Sequence, residues 1–278
     1  MTALTPEVVD WLATTLGSRT TGRVTERLPA STSSVLVLEG DRVLRWYDDP
    51  GFLEEEPDAI PREAAALTAL AGTTVPAPRL IAASERAPAA VLMTRVAGSP
   101  DLVIRDPAAI LDLLGAIHAV PPGPLARWSY HGYHEGNDLL RPAWWRDAEL
   151  WERAVRQTGT ARPTGPGVLI HRDFHPGNIL WTGSAVTGVV DWVNACVGPA
   201  EVDAAHMRVN LASIEDVAYA DRILPGDPAW DIEAAFGFLD WGSHAVIDAW
   251  PGPWPALDAA TARVRLEAFV SEALARLG

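Results

Sequence analysis

Lysine is absent from this 278-residue chain, so all 22 of its basic residues are arginine. Set against 36 acids, they leave a net charge of −14. That balance argues against nucleic acid as a partner, because phosphate backbones are bound by a basic face. Cysteine is nearly missing too. Cys196 alone excludes an internal disulfide and a cysteine-built zinc site. No apolar run is long enough to cross a bilayer, although 48% of the residues are hydrophobic. The opening MTALTPEVVD has neither the basic region nor the apolar core of a signal peptide. These absences lead to the expectation of a soluble, cytoplasmic protein with no membrane partner. The length accommodates two lobes, each with a core of its own.

What is present is concentrated in one stretch. His171-Arg172-Asp173-Phe174-His175-Pro176-Gly177-Asn178 follows the apolar run Val168-Leu169-Ile170, and Val189-Val190-Asp191-Trp192 comes soon after. Pro176 and Gly177 hold the two central positions of a type II turn. Two short apolar strands flank Thr182-Gly183-Ser184, and a turn centred on Ser184-Ala185 sets position 178 opposite 191. Antiparallel partners have Cα atoms about 4.5–5.5 Å apart. Asn178 and Asp191 are therefore expected together at the open end of the hairpin, with Asp173 in the loop above. An amide oxygen beside a carboxylate suits Mg²⁺, which takes a few protein oxygens plus substrate phosphates. Asp173 is left to act on a substrate hydroxyl, the division of labour found in kinase phosphoryl transfer. The alternative is a loop whose Asp and Asn merely cap turns.

The pattern H-x-D-x-x-x-x-N, with a further Asp thirteen residues on, resembles the signature of the aminoglycoside phosphotransferase and choline kinase-like group. These are small-molecule relatives of the protein kinases. The resemblance implies an α+β, two-lobed protein kinase-like fold. A small nucleotide-binding lobe with an antiparallel sheet is expected over residues 1–97. A larger, mainly helical catalytic and substrate-binding lobe is expected over 98–278. The resemblance also implies ATP or GTP as co-substrate and Mg²⁺ as the metal. Asp173 takes the catalytic role in it, and Asn178 and Asp191 hold the metal. Asp203, in Gly198-Pro199-Ala200-Glu201-Val202-Asp203-Ala204-Ala205, matches the acid that anchors the catalytic loop through its backbone, and His171 supports that loop. One departure is Val193, where many relatives carry a second acid.

In the first lobe, Thr5 and Pro6 open a helix to about Leu16, with Val8, Val9, Leu12 and Leu16 as its apolar positions. Strands are expected at about 23–28, 34–39 and 42–47, the last two joined by a two-residue loop at Gly40-Asp41. Ala30-Ser31-Thr32-Ser33-Ser34 stands where a protein kinase has its glycine-rich phosphate loop, and an ordinary serine-rich turn is the other reading. Arg45 stands at the strand position of the phosphate-gripping lysine, as an exposed residue whose planar fork can hold phosphate oxygens bidentately. Glu63 is its expected partner; the alternative is an acid that stabilises a helix N-terminus. Residues 48–60 read as an exposed connection. Ala89 to Val96 reads as a buried edge strand. The resemblance makes it the hinge, where backbone near Thr94 and Val96 holds the adenine edge. Gly98 is the lobe boundary.

In the second lobe, Asp106-Pro107 starts a helix to about Ala119, with Ile110, Leu113, Leu114 and Ile117 on its buried face. The insertion from Pro121 to Arg141 holds His131 and His134, read as surface histidines because no third metal ligand accompanies them. Further helices are expected at about 142–156, 200–222, 229–249 and 255–276. From Asp191 onward, 14 acids stand against 5 arginines. That segment either draws in a cationic acceptor or is solvated surface. Trp230, Trp241, Trp250 and Trp254, with Asp231 and Asp240, read either as core or as a wall that holds a cation. The expected activity is phosphorylation of a hydroxyl on a small, cationic molecule, with an aminoglycoside or capreomycin-type antibiotic foremost. A metabolic kinase of choline, a sugar or an amino-alcohol is the alternative, and so is a kinase-like binding protein without transfer.

Overall fold

Five antiparallel strands carry the first lobe: β1 (Val24–Leu28), β2 (Ser34–Leu38), β3 (Arg42–Trp46), β4 (Leu80–Ser84) and β5 (Ala90–Thr94), in the order β1-β2-β3-β5-β4. The computed structural model describes residues 4–17, 23–30, 32–135, 138–239 and 258–278. Strand β5 is interior rather than an edge, because β4 pairs along its outer side. The sequence reading has no strand at β4, whose Leu-Ile-Ala-Ala-Ser run is short and poor in the β-branched and aromatic residues that mark strands. The turn between β2 and β3 has three residues, Glu39 to Asp41, rather than two. Gly40 and Asp41 both adopt positive φ, 79° and 55°, which closes it.

Each face of this sheet receives one helix. α1 (Pro6–Leu16) lays Val8 and Leu12 against Leu36, Leu38 and Leu44. Val9 points outward at 42% exposure, so it is not one of the helix's packing positions. The segment expected as an open connection forms α2 (Pro50–Glu55), because Asp49 caps it by accepting from the Gly51 amide. α3 (Ala59–Leu70) packs across β4 and β5, burying Ala66 and Leu67 and, unusually, Arg62 and Glu63.

The chain leaves the sheet after Thr94 and turns at Gly98 (φ 115°) into β6 (Ser99–Pro100). β6 adds to the hairpin of β8 (Ile179–Thr182) and β9 (Ala185–Val189). A Cβ on Gly98 would meet the Trp181 carbonyl oxygen at 2.9 Å, so the linker can lie on the hairpin only as glycine. A second short pair joins β7 (Val168–Ile170) to β10 (Cys196–Gly198).

Helices build the remainder: α4 (Pro107–His118), α5 (Ala148–Gln157), α6 (Glu201–Ile214), α7 (Val217–Ile223), α8 (Pro228–Phe236) and α9 (Ala259–Leu277). α5 starts at its Asp147 cap, later than expected, and leaves Trp144 and Trp145 in the preceding turn. The helix expected over 200–222 divides, because Asp216 caps a new helix by accepting from the Tyr219 amide. Arg208 of α6 is wholly buried and pairs with Asp231 at 2.9 Å and Asp221 at 2.7 Å, while Arg276 of α9 reaches Asp231 at 2.9 Å. Four helices are thus tied through one charge network. Asp231 is fully buried and spent on it, so it is not part of a cation-holding wall. Trp230 is 6% exposed, and Asp240, Trp241, Trp250 and Trp254 lie outside the described residues. Among the described residues no helix is long and apolar enough to cross a membrane.

Candidate active site

The site forms where the 171–178 loop, the end of β9, β3 and α3 meet. Asp203, near the start of α6, is fully buried and holds the loop from below. Its Oδ2 accepts from the His171 amide at 3.0 Å and its Oδ1 from the Arg172 amide at 2.7 Å. His118, at the end of α4, meets Oδ2 at 3.0 Å. These three donors satisfy a carboxylate that burial would otherwise disfavour. They also hold Arg172 in a left-handed conformation (φ 67°), which a side chain with a Cβ adopts only at a cost.

His171 then supports the loop from two sides. Its Nδ1 accepts from the Asp173 amide at 3.3 Å and its Nε2 donates to the Val190 carbonyl at 2.9 Å. Its ring packs 4.5 Å from that of the buried Trp192.

Pro176 to Asn178 form a 3₁₀ turn, not a type II turn. Gly177 stays out of the positive-φ region because the His175 Nδ1 accepts its amide at 3.1 Å and folds the turn inward. Asn178 is consequently turned back. Its Nδ2 donates to the Asp173 carbonyl at 2.9 Å and to Asp173 Oδ2 at 3.3 Å, which leaves its Oδ1 on the opposite side. The hairpin register also differs from the expected one. Its turn is Gly183-Ser184, and an irregularity between Leu180 and Trp181 leaves Thr187 as an extra residue. The Val190 amide donates to the Asn178 carbonyl at 3.0 Å, so Asn178 lies opposite Val190, with Asp191 next in line. Thr187 bonds the Ala97 carbonyl at 2.7 Å, and a Cβ on Gly188 would sit 2.5 Å from Val96 Cγ1. The bulge is shaped by the linker lying across it.

Asp191 adopts φ 66° and turns its carboxylate toward the first lobe. There Arg45 Nη2 meets its Oδ1 at 2.8 Å, while Arg45 Nε lies 3.3 Å from Glu63 Oε2. Arg45 is buried (6% exposed), which corrects the expectation of an exposed strand residue. Burial pushes Glu63 up to about 7, with Arg45 opposing and Asp191 adding to the rise. Neighbouring Arg62 completes the grip. Its Nε donates to the Val193 carbonyl at 2.5 Å, so α3 holds the 191–193 turn directly through Arg62 and, by way of Arg45, through Glu63. The Asp191 carboxylate keeps about a third of its surface exposed. Its oxygens and the Asn178 amide oxygen are hard donors, the chemical type that suits Mg²⁺ when phosphates complete its shell.

Asp173 Oδ1 lies 3.1 Å from His206 Nε2 and 3.8 Å from His175 Nε2. Burial alone would raise its pKa. The neighbouring imidazoles of His175, of His206 (by a hydrogen bond as well) and of His171 outweigh that, and hold it well below the usual carboxylate range. His175 is itself lowered, by burial first, with Asp173 opposing. Beside this loop, Arg172 is 5% exposed, stacks 4.2 Å over the Tyr133 ring and donates to the His131 carbonyl at 3.0 Å. It lines a cavity with Tyr130, Tyr133, His206, Trp230 and Glu233. His134 is buried and paired with Glu233 at 3.1 Å, not a surface histidine.

The two hinge residues lie apart from this cluster. The Thr94 amide donates to the Arg79 carbonyl at 3.0 Å and is committed to the sheet. Val96 rests on the hairpin at Gly188. Of the serine-rich loop, Ser34 is bound between Arg27 and Asp48, and Ser31 lies outside the described residues.

The sequence model of the phosphotransferase enzyme family, APH, matches residues 25–236, which take in every residue of the site. The chain belongs to this family. No curated protein matches it. Solved structures share its fold. The aminoglycoside phosphotransferase APH(4)-Ia is 16% identical, covers 95% of this chain and 98% of its own, and has a TM-score of 0.59. A choline/ethanolamine kinase family protein from Mesorhizobium loti is 19% identical, covers 98% and 99%, and also scores 0.59. APH(2")-IIa, solved as a ternary complex with streptomycin and ATP, is 14% identical, covers 86% and 88%, and scores 0.57. The fold is that of the kinase-like phosphotransferases, and the enzyme is a phosphotransferase with an alcohol group as acceptor.

In this phosphotransferase three site residues escaped the sequence reading: Arg62, His118 and His206. Arg62 precedes Glu63, and His206 follows Asp203 by three residues, so each shares a helix with a residue that was singled out, and i, i+3 spacing is the signal that could have found His206. His118 is 85 residues from its partner and carries no local signal.

Proposed function

We propose that this protein transfers the γ-phosphoryl group of ATP (or GTP) to a hydroxyl of a small, cationic molecule. The observation that carries the reading is the convergence of Asp173, Asn178 and Asp191 with the Arg45–Glu63 pair of the opposite lobe. Asp173, kept ionised by its imidazole neighbours, is a weak base; it acts by orienting the acceptor hydroxyl rather than by deprotonating it early. That suits phosphoryl transfer, in which positioning and charge neutralisation supply most of the catalysis. Asn178 and Asp191 would hold Mg²⁺, which supplies charge neutralisation at the phosphates. Arg45, released from Asp191, takes phosphate oxygens with its fork while Glu63 keeps it in place.

For the acceptor, the neighbours that bind hygromycin B or streptomycin favour an antibiotic, and inactivation of it the biological role. The choline/ethanolamine kinase family neighbour, matched at the same TM-score, supports a metabolic amino-alcohol kinase as the second reading. Both readings share a hydroxylated cation, in keeping with the net charge of −14. The test is ATP consumption in the presence of Mg²⁺ across hygromycin B, streptomycin, choline, ethanolamine and neutral sugars. Turnover with one cationic class is expected, and it should vanish in Asp191→Ala, where position 193 offers no second carboxylate. Transfer restricted to neutral sugars would overturn the cationic reading. Full activity in Asp191→Ala would remove that residue from the site.

A further inference from the structure

His206 is the one charged or polar side chain outside the 171–178 loop that an ion-pair distance links to Asp173 among the described residues. It stands on α6 one turn after Asp203, so a single helix face makes successive contacts with the loop. Asp203 takes the backbone amides of His171 and Arg172. His206 takes the side chain of the next residue, with Nε2 3.1 Å from Asp173 Oδ1. The His206 side chain is 14% exposed, and its ring lies 6.0 Å from Phe238 and 6.1 Å from His175, which limits its swing. An ionised carboxylate can only accept, so Nε2 carries the proton in this contact. On the other oxygen, Asn178 Nδ2 donates to Oδ2 at 3.3 Å. Asp173 is therefore gripped at both oxygens, once from its own loop and once from α6.

We propose that His206 is a positioning residue: its Nε2–H fixes the rotation of the Asp173 carboxylate so that the remaining lone pairs face the acceptor hydroxyl. The proposal rests on Asp173 orienting that hydroxyl. Without His206 the carboxylate would keep a side-chain hydrogen bond only at Oδ2, from a group on the same loop, because His175 Nε2 stands 3.8 Å from Oδ1, beyond hydrogen-bond reach. It could then turn about χ2. A misplacement on the order of 1 Å at a reacting centre costs about 100-fold in rate.

The test compares His206→Leu and His206→Gln with the parent enzyme. Leucine removes the donor at similar bulk, whereas glutamine carries an N–H at comparable reach. With Mg²⁺-ATP and hygromycin B or choline, and with water as acceptor in slow ATP hydrolysis, His206→Leu should lose kcat by roughly 10- to 100-fold. Its nucleotide KM should stay within about two-fold of the parent, because no ground-state nucleotide contact is removed. His206→Gln should recover most of the loss, and thermal unfolding run alongside checks that each variant is folded. An unchanged kcat in His206→Leu, a loss confined to KM, or a glutamine variant no better than leucine would overturn the role. A second measurement does not depend on turnover. In protein labelled with ¹⁵N-histidine, the His206 Nε2–H should be protected from exchange in the parent and lost in Asp173→Ala. Its survival there would disprove the contact. A parent enzyme that neither phosphorylates nor hydrolyses would instead defeat the functional reading, and leave the contact to be judged by this signal.

Discussion

At the scale of single residues, Arg45 and Asp203 show how burial changes what a charge does. Arg45 is bound to two carboxylates and almost closed to water, so it is a structural counter-charge in addition to the phosphate-binding role proposed for it. Arg45→Ala should raise the nucleotide KM and also destabilise the protein, by roughly 3–5 kcal/mol, because Glu63 is left buried without its partner. Arg45→Lys should recover only part of both losses, since one ammonium cannot span Glu63 and Asp191 as a fork does. Thermal unfolding and nucleotide kinetics on the same samples check this, and a variant with parental values in both would remove Arg45 from both roles. Asp203→Ala should cost a similar amount, roughly 3–5 kcal/mol, by leaving two buried amides and His118 without an acceptor. It should also release Arg172 from its left-handed conformation and remove measurable turnover. Retained kcat in a folded Asp203→Ala would show that the loop keeps its shape unaided.

At the scale of elements, the β8–β9 hairpin and the interlobe linker shape each other. Gly98 lies on Trp181 at a φ of 115°, and Gly188 admits Val96. Gly98→Ala should be destabilising by about 1–3 kcal/mol from its backbone angle alone, and by more from contact with the Trp181 carbonyl. Because the hairpin ends in Asn178 and Asp191, the same change should raise the nucleotide KM. Urea unfolding and kinetics of Gly98→Ala test the pair of effects, and stability without any change in KM would uncouple the linker from the site. Gly72, also at positive φ but with nothing within 4 Å of an added Cβ, serves as a control for the backbone strain without the clash.

At the scale of the whole molecule, two kinds of acid must be told apart. Asp231 and Glu233 are spent internally, on Arg208 with Arg276 and on His134 respectively. Asp231, fully buried, does not bind an acceptor cation by contact. The net charge of −14 acts at longer range, and salt screens exposed charges beyond about 8 Å at physiological ionic strength. For a cationic acceptor, kcat/KM should fall as salt rises, mainly through KM, with kcat little changed. The nucleotide KM is the internal control. An acceptor KM that stays flat from low to high salt would make the surface acids a matter of solubility and would favour a neutral hydroxylated substrate.

Local chemistry was legible in the sequence. The H-x-D-x-x-x-x-N loop, Asp191, Pro6 and Pro107 at helix starts and the break at Gly98 each depend on residues close in the chain, where turn and cap preferences act. The sequence by itself thereby determined the family and the kinase-like division into a sheet and a helical remainder, and it singled out Asp173, Asn178 and Asp191. What it could not supply depends on partners brought from far along the chain. The burial of Arg45 needs Glu63 and Asp191 on two sides, the pairing of Asp231 needs Arg208 and Arg276, and the offset of Asn178 from Asp191 needs Val96 lying on Gly188. His118 and His206 joined the site only when α4 and α6 packed beneath the loop. A titratable side chain carries no sequence mark of the carboxylate it will meet. Only the tertiary structure decides that, because burial removes water as the competing partner and leaves each charge to the groups that packing sets beside it.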